Sequence, residues 1–556
     1  MEIASPTPTA VRGHPLQANL WRALLLLSAA VIAVPILVIV ASLLGPYSAA
    51  WGHLIDTVLA DYVINSLLLM LGVGSGTLLL GVSAAWLTAM CEFPGRRFFS
   101  WALLLPMAIP AYIIAYTYTG MLDYAGPLQT LLRDSFGWGF GEYWFPQIRS
   151  LGGAICMLSL VLYPYVYLLV RVAFLEQSTA VLEASRNLGK TPWQTLFLVA
   201  LPMARPAIAA GVSLALMETL ADYGTVAYFG VSAFTTGIFR TWYGLGELQT
   251  AAQLAAFLLL FVFTLFILEK RSRARLRFHK SSARSFPARI PLRGWRAAAS
   301  FSVALGILSA GFLLPAAQLG VWAAGNYAGV LDQAFLRLVG NSFLLAAIAS
   351  LCCLLLALLL GYGRRLYPGR AETIATRVAG MGYAVPGTVI AVGVLIPFAW
   401  IDNSIDSWLR QQFGVSSGLL LSGTLAALVF AYVVRFLAVS LQTVEAGLAR
   451  IRPGIDESAR SLGHSPMSVL RRIHLPMLRG SLLTALLLVF VDVLKELPTT
   501  LILRPFNFNT LAVRAHELAS DERLADAALP ALAIVLIGLL PVILMNRSMP
   551  REQEHA

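Results

Sequence analysis

Six charged residues fall inside stretches that are otherwise apolar: Glu218, Asp222, Arg435, Asp492, Lys495 and Glu496. A charge at mid-bilayer costs at least about 2.5–3.5 kcal/mol on insertion scales, so such residues are rare and call for a reason. Within each run two acids stand four apart, the spacing of one helix face. Glu218 matches Asp492 and Asp222 matches Glu496 at a constant displacement of 274 residues. The chemistry this suggests is a symmetric acidic lining that attracts a cation, partly compensated by Lys495 and Arg435 in the second run. The competing reading is structural ion pairing, or a place near a helix end, since Gly224 and Pro498 follow closely and would stop a regular helix. No nucleophile–base constellation and no metal-ligand spacing accompanies these charges, so the sequence points to conduction and not to an enzyme. Cys91, Cys156, Cys352 and Cys353 show no C-x-x-C spacing, which leaves neither a disulfide framework nor a zinc site.

A second set of residues recurs at the same displacement. Leu182-Glu183-Ala184-Ser185-Arg186-Asn187-Leu188-Gly189 returns as Asp456-Glu457-Ser458-Ala459-Arg460-Ser461-Leu462-Gly463. Pro192 returns as Pro466, Leu201-Pro202 as Leu475-Pro476, and Thr225 as Thr499. Asn65-Ser66 and Pro110 return as Asn341-Ser342 and Pro386, displaced by 276 residues. Each copy spells a short polar helix, a glycine able to take a left-handed turn, and a second helix. Thr191 is placed to cap that second helix with Pro192 at its first position and Gln194 as capping-box partner; Ser465-Pro466 repeats the cap without the Gln. Pro202 and Pro476 are expected near the start of the following span. His464 and His474 lie among basic loop residues and read as solvated.

Gly189-Lys190-Thr191 imitates the end of a phosphate-binding loop. The full pattern needs a glycine five residues before its Gly-Lys, and position 184 is alanine. The chain is therefore expected to hold no nucleotide itself and to bind no cofactor directly.

These motifs sit on elements that only a membrane accommodates. Of 556 residues, 58% are hydrophobic and 12% charged, with a mean hydropathy of +0.75. Twelve apolar stretches are long enough to span hydrocarbon as helices. They lie near 22–44, 63–90, 99–120, 151–174, 205–228, 251–269, 297–322, 341–363, 378–400, 418–441, 480–503 and 526–546. The first is too long for a cleaved signal and reads as a retained span. Counting from an inside N-terminus, the outside loops hold only eight basic residues, while most of the 40 Lys and Arg fall inside. That asymmetry predicts both termini in the cytoplasm. It also places the net charge of +12 in short inter-span loops, where it signals membrane orientation and not nucleic-acid binding. Residues 270–296 carry ten Lys and Arg and read as a cytoplasmic linker near anionic headgroups. The expected architecture is an all-α polytopic membrane protein: a first six-helix half over 1–269, the linker, and a second half over 297–556. An even number of spans per half makes the repeat parallel.

The repeated loop carries a family resemblance. Glu183-Ala184-Ser185 through Gly189, followed by Leu201-Pro202, resembles the so-called EAA loop of permeases in binding-protein-dependent ATP-driven importers. Glu457-Ser458-Ala459 through Gly463, followed by Leu475-Pro476, resembles it again. Ser185 and Ser458 replace alanines of the pattern, mild departures because small residues suit close packing. The resemblance implies that the loop docks in a groove of a partner ATPase. By residue match, Glu183, Ala184, Gly189 and Pro202 would serve one half, and Glu457, Ala459, Gly463 and Pro476 the other. It further implies two copies of an ATP-binding subunit that hydrolyses the ATP, a periplasmic substrate-binding protein, and a bacterial inner-membrane location. The stretches Lys495 to Pro505 and Tyr228 to Gly237 are similar to ferric-iron permeases of this class. Fused-duplicate permeases for thiamine and for phosphonates share the plan. A secondary transporter also has two halves in many cases, but does not need the doubled cytoplasmic loop.

Overall fold

An apolar run in hydrocarbon must satisfy its own backbone, which leaves the helix as the available form for these segments. The computed structural model describes residues 15–139, 141–177, 184–185, 187–274 and 289–548. Among them, eleven helices are long and apolar enough to cross a membrane. Arg96–Ala108 and Ala111–Phe136 make a twelfth span if taken together, bent by 92° at their junction. The bend falls at Ile109-Pro110, where Ile109 is extended (φ −97°, ψ 118°), as the residue before a proline tends to be.

The helices used below are α1 (Pro15–Ser42), α2 (Leu59–Met90), α3 (Ala111–Leu122), α4 (Leu151–Leu175), α5 (Leu201–Ala221), α6 (Gly224–Tyr228), α7 (Phe234–Tyr243), α8 (Leu248–Ala274), α9 (Trp295–Leu308), α10 (Leu314–Val330), α11 (Gln333–Leu366), α12 (Arg370–Ala379), α13 (Gly387–Phe413), α14 (Leu425–Ala449), α15 (Pro453–Ser461), α16 (Leu475–Leu494), α17 (Pro498–Leu503), α18 (Leu511–Ser520) and α19 (Leu524–Ser548).

The chain forms two compact units that interleave in sequence. One comprises residues 1–46 and 337–510, so α1 packs with α12 and α13 of the later sequence. The other comprises residues 47–336 and 511–556, so α9, α10, α18 and α19 belong with the earlier helices. In this second unit α4 seats deeply against α2 and α5. Small residues allow the approach: a Cβ on Gly81 would lie 2.7 Å from Val166, and one on Gly211 would lie 2.7 Å from the Val166 backbone. Without a hydrophobic force between lipid-solvated helices, this close packing is what holds them together.

The fifth and eleventh spans differ from expectation at both ends. They run over Trp193–Ala221 and Pro466–Leu494, not 205–228 and 480–503. Leu201-Pro202 and Leu475-Pro476 open the regular α-helical part of each span but not the span itself. A π-helical turn precedes each pair, Leu196–Ala200 in one and Leu470–His474 in the other, and Leu201 and Leu475 bond back five residues. A proline inside a helix clashes with the carbonyl four residues earlier, and a wide turn takes up that clash. Ser309–Leu313 does the same before Leu314-Pro315. At the other end each helix stops before its second acid, as described next.

Candidate functional site

The second repeated loop is built as its sequence dictates. α15 ends in a turn where Gly463 has φ 81°, Gly463 N donates to Arg460 O and His464 N to Ala459 O. Ser465 then caps the next helix, its Oγ accepting from Ser468 N at 3.3 Å, with Pro466 in the first turn. On α15, Ala459 is buried, whereas Glu457 is exposed. Leu462 at the turn is 78% exposed. Pro476 sits in the first turn of α16.

Polar contacts tie this loop to three membrane helices. Asp456 accepts from Arg365 Nε at 2.8 Å and meets His474 Nε2 at 2.6 Å. Arg365, in the last turn of α11, also donates to Leu448 O and to Ile451 O at 2.9 Å, the carbonyls that end α14. Tyr362 donates to Pro466 O at 2.7 Å. His474 is therefore not solvated as its basic neighbours suggested; it is fully buried, because the π-helical turn directs it onto Asp456. Sequence reasoning missed Arg365, Asp456 and His474 as a group. The only signal was an acid and a histidine flanking the repeat, since the arginine read as an ordinary inside charge.

The first loop reaches the same geometry by other means. Glu183 lies outside the described residues. Ala184 O accepts from Leu188 N and Ser185 O from Lys190 N, and Gly189 turns the chain with φ 76°. The anticipated capping box is present: Thr191 N donates to Gln194 Oε1 at 3.0 Å and Gln194 N to Thr191 Oγ1 at 3.3 Å. Ser185 and Thr195 share a buried hydroxyl pair at 3.1 Å, and Gln177 donates to Ala200 O at 2.9 Å. Leu188 is 79% exposed, matching Leu462.

The intramembrane charges resolve into two different arrangements. The paired acids do not share one helix face, because each helix ends between them. α5 stops at Ala221, leaving Glu218 in its last turns and Asp222 extended (ψ 128°) at its end. Asp222 then accepts from Thr225 N (3.0 Å), Thr225 Oγ1 (3.0 Å) and Val226 N (3.2 Å), capping the short α6. α16 stops at Leu494, and Glu496 accepts from Thr499 N (3.0 Å) and Thr499 Oγ1 (2.6 Å) at the start of α17. The recurrence of Thr225 as Thr499 thus has a local cause. Asn65 and Asn341 likewise both donate to a loop carbonyl, Ser232 O at 2.9 Å and Asn509 O at 3.2 Å.

Glu496 additionally pairs with Arg435 at 3.2 Å, with both side chains under a tenth exposed. The pair sits against the first turn of α13, where a Cβ on Gly387 would collide with Arg435, Thr499 and Glu496. A helix N-terminus favours a carboxylate there. Asp492 and Lys495 form a separate, more exposed pair at 2.9 Å. Among the described residues no group of three or more His, Cys, Asp or Glu is placed to hold a metal ion.

Helices of spanning length, a duplicated helix–turn–helix loop and capped breaks in two spans define a polytopic transport subunit. The chain belongs to the family of inner membrane components of binding-protein-dependent transport systems, whose model matches residues 77–278 and again 354–552. It is 26% identical over 502 residues to the Fe(3+)-transport system permease protein FbpB 2 of Haemophilus influenzae, covering 88% of this chain and 90% of that protein. It is 28% identical over 176 residues to the molybdenum transport system permease protein ModB of Escherichia coli, covering 31% of this chain and 74% of that one. A putative 2-aminoethylphosphonate transport system permease protein PhnV of Salmonella typhimurium is 28% identical over 241 residues, 43% of this chain and 80% of its own. The protein is accordingly a multi-pass inner-membrane permease of an ATP-driven importer, duplicated within one chain. Membership of this family implies an ATPase partner and a periplasmic binding protein.

Proposed function

We propose that this permease carries ferric ion, delivered by the periplasmic binding protein, with hydrolysis performed by two copies of a separate ATP-binding subunit. The observation that carries the substrate is the extent of similarity. The Fe(3+) permease aligns through both halves and so shares the duplicated plan, whereas the molybdenum and aminoethylphosphonate permeases, aligned over 74% and 80% of their own shorter chains, match less than half of this one. Charge supports a cation only weakly: Glu496 is paired with Arg435 and Asp492 with Lys495, so the remaining acids are those of span five, Glu218 and the helix-capping Asp222. The test is uptake of labelled ferric ion, thiamine, molybdate and 2-aminoethylphosphonate in cells lacking their other importers, with and without the chain. Iron uptake that depends on the chain is expected. Chain-dependent uptake of another solute, with iron unchanged, overturns the substrate and leaves the importer class intact.

The repeated loops are the proposed ATPase contacts, through Glu183, Ala184, Gly189 and Pro202 in one half and Glu457, Ala459, Gly463 and Pro476 in the other. Supporting this, Leu188 and Leu462 are matched leucines left almost fully exposed at the turn, an apolar knob that a partner groove would cover. ATP-driven closure of the partner would move the docked helices and bias the permease between access states. This reading requires the loops and the 270–296 linker to face the cytoplasm. In a background without the native cysteines, single cysteines at the exposed Ser135 and at Ser232 should label from outside and one at Ser281 should not; outside labelling at Ser281 would reverse the orientation.

A further inference from the structure

The internal duplication extends to α1 and α9, and there the two copies are built differently. Trp21-Arg22-Ala23 recurs as Trp295-Arg296-Ala297 at the displacement of 274 residues. In its unit, Trp21 lies edge-on to Tyr362, with ring centroids 6.1 Å apart, and like Leu475 packs against the cluster of Tyr362, Leu366, Tyr367 and Leu470. Leu25, one turn on, is 1% exposed, and Arg22 is neutralised by Glu372 at 3.1 Å. In the other unit the matching surface is open. Trp295 is 76% exposed, and the counterparts of Leu25 and Leu26 are Ala299 and Ser300. The counterparts of Tyr362 and Leu475, Trp86 and Leu201, line a groove of about 990 Å³ together with Leu78, Phe197, Arg205 and Ala299.

The groove is apolar along most of its length, with Arg205 on its α5 wall. Its α2 wall runs from Ser75 to Leu87, roughly 18 Å at the helical rise per residue. Arg205 lies in the first turns of α5, and Arg296 one turn before Ala299 on α9. Glu372, which neutralises Arg22, is replaced in this copy by Arg96, itself paired with Glu92 at 3.0 Å. Arg296 lies over the Trp295 ring at 5.8 Å, and neither Arg296 nor Arg205 has an acidic partner among the described residues. Trp193 and Phe197 stack on the same wall about two to three turns before Arg205, as aromatic residues do at headgroup level. A protein segment in the same role would have to bring an acid; residues 275–288 bring Arg275, Arg277, Lys280 and Arg284 instead.

We propose that this groove is a site for an anionic phospholipid, its acyl chain between α2, α5 and α9 and its phosphate held by Arg205 and Arg296. The lipid does for the first loop what Trp21 and Leu25 do for the second: it braces the helix that carries the π-helical turn before Leu-Pro. The test is native mass spectrometry of the full chain purified in mild detergent and offered phosphatidylglycerol or phosphatidylcholine. One phosphatidylglycerol per chain should be retained in preference to phosphatidylcholine. Arg205→Gln with Arg296→Gln should lower that retention about tenfold or more and erase the preference. Arg479→Gln, the counterpart of Arg205 in the other unit, should leave retention unchanged. Ala299→Leu, or Ser300→Leu if the first does not accumulate, should reduce retention of both lipids by filling the groove. Equal retention of the two lipids by the unaltered chain overturns the proposal. So does an Arg479→Gln effect as large as that of the double variant, or full retention in the groove-filling variant.

Discussion

The two repeated loops reach one backbone geometry with different ties to the membrane helices. Gly189 and Gly463 take the same left-handed turn, and Thr191 and Ser465 cap the same following helix. Beneath that shared frame, the second loop is bound by Asp456 to Arg365 and His474. The matching positions in the first copy are Leu182, Ala89 and Ala200, where a hydroxyl pair and Gln177 supply the polar contacts. The intramembrane acids repeat the pattern. Asp222 is satisfied by Thr225 and Val226, whereas Glu496 adds a buried arginine whose counterpart is Val161. The lesson is that turn geometry is held by glycine, proline and caps, while the charged ties were free to diverge between copies.

The largest effect should come from breaking what the copies share. Proline cannot adopt the φ of 76° or 81° found at Gly189 and Gly463. The Gly189→Pro, Gly463→Pro double variant should accumulate and insert while transport falls to background; normal uptake at normal abundance would remove the loops from coupling.

Next come the features unique to one copy. Arg435→Met strands the buried Glu496 and should cost roughly 3–5 kcal/mol, read as a lowered thermal midpoint. Adding Glu496→Gln should restore part of that loss. Gly387→Ala should also destabilise, by about 1–3 kcal/mol, although the matching residue in the other copy is already Ala111. An unchanged midpoint in Gly387→Ala would show that the pair does not fill that space.

Asp456→Asn and Arg365→Met should each cost about 2 kcal/mol, as for hydrogen bonds to charged groups. Together they should cost less than the sum of the two, because the bond they share is lost once, while Arg365 also gives up Leu448 O and Ile451 O and Asp456 its contact with His474. Additive losses in a double-mutant cycle would separate the two residues. Ala200→Val in the first copy should have no such coupling to any charge.

The smallest effects should be equal in the two copies. Thr191→Ala and Ser465→Ala each remove a cap worth about 1 kcal/mol, seen as faster amide exchange in the following turn. A clear inequality between them would mean that the ties below, and not the caps, set local stability.

Much of this was legible in the sequence because it depends on local or one-dimensional physics. Apolar length gave the approximate number and position of the spans, but not the ends of the fifth and eleventh or the bend in the third. The constant displacement exposed the duplication, and Gly-x-x-Pro punctuation located the loop turns. The repetition of Thr225 in the second copy marked a position whose local bonds recur, and that of Asn65 marked a recurring bond to a distant loop carbonyl. Other features were not legible, because they depend on which distant surfaces meet. Nothing in the run of residues around Leu201-Pro202 says that the helix continues through a π-helical turn; that depends on whether packing on either side can hold the wider turn in place. Nor does a four-residue spacing reveal that a helix ends between its two acids. The pairing of Arg435 with Glu496, the burial of His474 and the assignment of α1 to the later helices all join residues far apart in the chain. Sequence alone determined a duplicated, membrane-embedded permease with two matched loops. Only tertiary packing decided which charges are neutralised and which helices surround them, because a charge in low dielectric is stabilised by whatever the fold brings within a few ångströms of it.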